Sequence, residues 1–165
     1  MAVTFDGFPR LVEREALRPG RWFVAATGVR PLICFSTEEG DQGDRVILTF
    51  GTTRPETLDF AVTRLKDLVG PLATLEYELV FSPGAAGEAP QVIAPIRRAF
   101  RPGALLRLKS GDLGLGYAGP AGDLTVISLA TGQRAEGYDL VFDRWSLFVR
   151  RGAGELHLIG RFRPI

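Results

Sequence analysis

Ala16-Leu17-Arg18-Pro19-Gly20 returns as Ala99-Phe100-Arg101-Pro102-Gly103, and the meaning given to this echo decides the fold. Each copy ends in a Pro-Gly turn signal and opens an apolar run. The runs are Arg21-Trp22-Phe23-Val24-Ala25-Ala26 and Ala104-Leu105-Leu106-Arg107-Leu108-Lys109. Asp44-Arg45-Val46-Ile47-Leu48 returns more loosely as Asp123-Leu124-Thr125-Val126-Ile127. Tyr77-Glu78-Leu79-Val80-Phe81 returns as Tyr138-Asp139-Leu140-Val141-Phe142, in the same order. Two similar antiparallel β units are therefore expected, over 1–90 and 91–165. Either would be marginal alone, so shared burial about a pseudo-two-fold axis, in a barrel or sandwich packed as one domain, is the stable arrangement.

Most of the chain outside these echoes also reads as strand. Pro31 to Ser36 follows the first run as the return of a hairpin or bend. Arg45 to Phe50 is apolar on both faces, which marks a central strand. Thr74 to Phe81 alternates, with Leu75, Tyr77, Leu79 and Phe81 opposite Glu76 and Glu78. Ser82–Pro90 reads either as a linker between two small domains or, the preferred reading, as a hairpin loop whose return strand is Gln91-Val92-Ile93-Ala94. Later segments at Leu113–Tyr117, Leu124–Leu129, Trp145–Arg150 and Glu155–Phe162 are separated by Gly-bearing turns, the signature of an all-β domain.

One helix is expected in this all-β frame. Thr53-Arg54-Pro55-Glu56 has the form of a capping box with proline in the first turn. Leu58, Ala61, Val62, Leu65, Leu68 and Val69 then recur at helical spacing until Gly70-Pro71. The second half has only Ala130-Thr131-Gly132-Gln133 at the corresponding place.

The chain has 165 residues, 45% hydrophobic and 24% charged, which suits a globular core and a solvated surface. A formal charge of +1 excludes a protein whose whole field attracts nucleic acid. Only Lys66 and Lys109 are lysines, so the cations are nearly all arginine. The single cysteine, Cys34, excludes an intramolecular disulfide and sits in an apolar run. The start of the sequence lacks a signal-like stretch and no apolar run approaches bilayer length, so a cytoplasmic location without membrane insertion is expected.

Candidate chemistry is sparse. His157 is the only histidine and alternates with Leu156 and Leu158, placing it beside Glu155 and Arg161 on a solvent face. Gly114-Leu115-Gly116-Tyr117-Ala118-Gly119 has the letters of a dinucleotide fingerprint, but a strand follows where a helix should begin; tight strand packing is the expected role of these glycines. Glu38, Glu39, Asp41 and Asp44 crowd one loop without the spacing of an EF-hand.

Arg14-Glu15-Ala16-Leu17-Arg18 and Arg97-Arg98-Ala99-Phe100-Arg101 each place two arginines four apart before an apolar run. This pattern resembles the arginine half of the PilZ signature, a family of small β-barrels that bind cyclic di-GMP. The resemblance implies that Arg14, Arg18, Arg97, Arg98 and Arg101 would grip the phosphates and guanine of a small nucleotide. The family's second element, Asp/Asn-x-Ser-x-x-Gly, is missing downstream of either pair. Trp145, Phe148, Arg150 and Arg151 offer a further, single-stranded nucleic-acid reading. The leading expectation is a non-enzymatic β-rich adaptor, a component of a larger assembly that binds a protein partner without a cofactor or metal. Its loops Ser82–Pro90, Glu38–Gly43 and Gly119–Gly122 would form the variable surface.

Overall fold

A computed structural model describes residues 10–27, 30–41, 44–83, 92–93, 100–119, 121–152 and 154–163. The strands before the middle of the chain are β1 (Leu11–Val12), β2 (Trp22–Thr27), β3 (Arg30–Ser36), β4 (Val46–Arg54), β5 (Thr57–Arg64), β6 (Leu72–Thr74) and β7 (Glu78–Pro83). Those after it are β8 (Val92–Ile93), β9 (Leu105–Leu108), β10 (Leu113–Ala118), β11 (Leu124–Ser128), β12 (Tyr138–Phe142), β13 (Trp145–Arg151) and β14 (Glu155–Phe162). They form a nine-stranded sheet, β1-β6-β2-β3-β4-β5-β14-β13-β7, and a five-stranded sheet, β11-β10-β9-β12-β8.

Part of the large sheet repeats the small one strand for strand. The order β1-β6-β2-β3-β4 matches β8-β12-β9-β10-β11 in chain order and in pairing. The registers also match. Trp22 opposes Phe35 and Phe23 opposes Cys34, as Leu105 opposes Leu115 and Leu106 opposes Gly114. Phe35 then opposes Leu48 and Cys34 opposes Thr49, as Leu115 opposes Ile127 and Gly114 opposes Ser128.

Alternation along these strands sends successive side chains to opposite faces. Phe35, Leu48, Leu105, Leu115 and Ile127 meet in one cluster between the sheets, with Phe50, Trp145, Leu147 and Phe162. Each sheet keeps a smaller cluster on its other face, built in corresponding ways. Leu17, Phe23 and Ile47 belong to one; Leu106 and Val126, with the half-buried Phe100, belong to the other. Each large side chain taken from water in this way contributes roughly 1.5–3 kcal/mol.

Several sequence expectations are corrected. No helix spans 55–69; Thr57–Arg64 is β5, followed by a 3₁₀ turn at Leu65–Asp67. Leu58, Phe60 and Val62 fit a period of two as well as the helical one. Thr57, Phe60, Val62 and Thr63 are β-branched or aromatic and favour a pleated strand. The deciding partner is β4, whose Phe50 and Leu48 oppose Phe60 and Val62. Pro55-Glu56 is thus a hairpin turn, with Glu56 at φ 59° and Arg54 facing Thr57 across it.

The third echo misaligns. β12, which carries Tyr138–Phe142, lies beside β9, whereas Glu78–Pro83 lies beside β13. The strand that occupies the place of β12 in the first half is β6, beside β2. The chain bends at 75–77 between β6 and β7 instead of running as one strand. β8 pairs with β12, not with β7, so Val92-Ile93 is not the return strand of a hairpin. Closure into a barrel is not found among the described residues, and the nine-stranded sheet crosses the 90/91 boundary because β13 and β14 join it.

The two sheets are also joined at a backbone seam. Glu38 N–H donates to the Gly132 carbonyl across the seam (2.8 Å), beside the bond from Gly20 N–H to the Ser36 carbonyl within the first half (2.8 Å). Gly20 and Gly132 both have positive φ, at 78° and 74°. A Cβ on Gly132 would lie 2.3 Å from Gly20 N, and one on Gly20 would lie 2.7 Å from Thr131 O. Only glycine permits both the conformation and the approach.

Candidate functional site: a cleft beside β7

Beside β7 a cleft of about 540 Å³ opens between the two sheets. Its walls come from four places that the fold brings together. Gly20, Arg21 and Trp22 arrive with the turn into β2; Leu75 and Tyr77 with the bend before β7; Leu79 and Phe81 with β7 itself; Asp112, Leu113 and Leu129 with the ends of β10 and β11. Trp22, Leu79, Phe81, Leu113 and Leu129 are partly buried and rest on the central cluster, so the floor is apolar. The Trp22 ring lies 4.6 Å from Phe35 and 5.6 Å from Phe81, centroid to centroid, which fixes its orientation.

The rim is polar and mostly paired. Tyr77 is 50% exposed, and the Arg151 guanidinium sits 5.5 Å from its ring centroid, a cation–π contact. Glu78 meets Arg150 at 3.4 Å. Asp112 accepts a hydrogen bond from Ser110 Oγ at 3.2 Å on the opposite wall. Size and lining, an apolar floor with a few polar groups at the mouth, are those of a binding cleft.

Of the arginines singled out in the sequence, Arg14, Arg18 and Arg101 lie among the described residues. Arg14 donates to three backbone carbonyls, of Leu65 (2.7 Å), Leu68 (2.6 Å) and Gly70 (3.0 Å). Its charge closes off the turn after β5 and is spent on the fold. Arg18 is exposed on the turn into β2, and Arg101 is exposed at the corresponding turn before β9. Arg97 and Arg98 lie outside the described residues, as does most of the loop Ser82–Pro90.

The other candidates are placed as follows. His157 is 44% exposed on β14, with Glu155 at 3.6 Å. In β10, a Cβ on Gly116 would lie 2.3 Å from the Phe100 ring and one on Gly114 2.7 Å from Leu108. Those glycines make room for packing. The acidic loop finds basic partners. Glu39 takes Arg134 at 2.9 Å, Glu38 accepts from Arg134 N–H at 2.8 Å, and Asp44 takes Arg64 (2.9 Å) and Lys66 (3.0 Å). The hydrogen bond from Lys66, with the Arg64 charge, holds the Asp44 carboxyl below its usual range. Among the described residues no cluster of three or more His, Cys, Asp or Glu could hold a metal.

The aromatic–arginine group Trp145, Phe148, Arg150 and Arg151 lies along β13, with Phe148 half-buried and both arginines exposed. Trp145 is fully buried, with Nε1 donating to the Gly103 carbonyl at 2.8 Å and its ring stacked on Phe162 at 5.3 Å. Cys34 is buried, and desolvation pushes its thiol up to about 12, which suits an inert side chain.

Sequence reasoning missed Trp22, Leu113 and Leu129 as cleft residues, since apolar positions on a core-facing pattern do not announce that their cover is incomplete. A signal was present in the comparison of halves. Glu155–Phe162 makes a full strand after β13, while the stretch after Phe81 is rich in Gly, Ala and Pro. Among the described residues no helix is long and apolar enough to cross a membrane. No family model matches the chain, and no curated protein or solved structure is similar to it.

Proposed function

We propose that this chain is a non-enzymatic β-rich interaction module, built from two related halves about a pseudo-two-fold axis, that holds a partner protein in the cleft beside β7. The matching strand order and registers support the duplication. The observation that carries the binding reading is the cleft itself: an apolar floor open to solvent between the two sheets. A concave site with an apolar floor and a few polar groups at its mouth is the usual form of a binding cleft. An adaptor role in a larger assembly follows from this surface. The nucleotide reading gains no support from Arg14, whose donors are already turned onto carbonyls.

Photo-cross-linking in the native cell tests the proposal. Benzoylphenylalanine at position 77, on the rim, should give adducts of defined mass, and at position 69, where Val69 is 75% exposed outside the cleft lining, should not. Loss of the position-77 adducts on Leu129→Arg would tie them to the cleft. Equal labelling from both positions, or none from position 77, refutes the reading.

A further inference from the structure

We draw no further inference here: the strongest candidate, the polar rung Arg54, Thr57, Arg161, Ser146 and Ser82 that runs across five strands on the outer face of the nine-stranded sheet, carries nothing, since its central arginine is already met by Glu56 at 2.6 Å and nothing in the structure points to a ligand there.

Discussion

β13 and β7 are neighbours, each reached by a short connection from the strand that closes its half, yet their surroundings differ. β13 lies between two strands and its Trp145 is wholly buried under Phe162. β7 has one partner among the described residues, and Trp22 beside it remains partly open to a cleft. The difference comes from one strand, β14, which the second half supplies after β13. Among the described residues the scaffold is therefore covered more fully beside β13 than beside β7.

The sharpest way to break this contrast is to truncate both tryptophans. Trp145→Ala should cost about 3–5 kcal/mol in urea unfolding, since it removes a filled site and leaves the Gly103 carbonyl without its donor. Trp22→Ala, half open at the cleft, should cost roughly 1–2 kcal/mol. Equal losses would mean that Trp22 is as fully covered as Trp145.

The seam that sets the halves side by side gives the next effect. Gly132→Ala should lose about 3 kcal/mol, from backbone strain and collision with Gly20 together. Gly122→Ala, also at positive φ but with nothing within 4 Å of a new Cβ, should lose only the conformational part, about 1 kcal/mol. Similar melting temperatures for the two variants would show that the seam is loose.

High pH should loosen both halves through groups on opposite sides of the seam. Burial raises Cys34 from 9.0 and Tyr117 from 10.0, each to about 12, with the Glu39 charge adding to the effect on Tyr117. The unfolded chain therefore releases these protons first. Stability is level below pH 9 and declines as pH rises from there toward about 12. Cys34→Ala should flatten the earlier part of that decline, measured as Tm against pH.

The smallest effect lies at the surface of the second half. Arg107 donates to Asp139 at 2.8 Å and lowers its carboxyl below 3.8. The stabilisation this gives is present above the ordinary carboxylate value and fades as pH falls through the folded one. Asp139→Asn should lower Tm slightly at neutral pH and leave it unchanged in strong acid. The pair is half exposed, so salt should erase most of the difference.

Much of the strand plan was legible in the sequence. The two Pro-Gly turns, the alternation of Leu105 to Leu108, and the runs at Trp145–Arg150 and Glu155–Phe162 each carry their own local signal. The segment 57–69 was not legible because its apolar residues satisfy two periods at once, and only pairing with β4 chooses between them. The candidate site was less visible still. Arg14 looks like a ligand residue until the carbonyls of Leu65, Leu68 and Gly70 are seen around it. The cleft gathers residues as distant in sequence as Trp22, Phe81 and Leu129, and no local pattern links them.

Local chemistry alone determined that this chain is a β protein with a repeated opening, because turn residues and side-chain alternation act over a few positions. Which strands lie side by side was settled by burial across the whole molecule. Side chains distant in sequence, such as Phe35, Leu115 and Trp145, must share one apolar interior, and a strand finds its place only by what it can cover there.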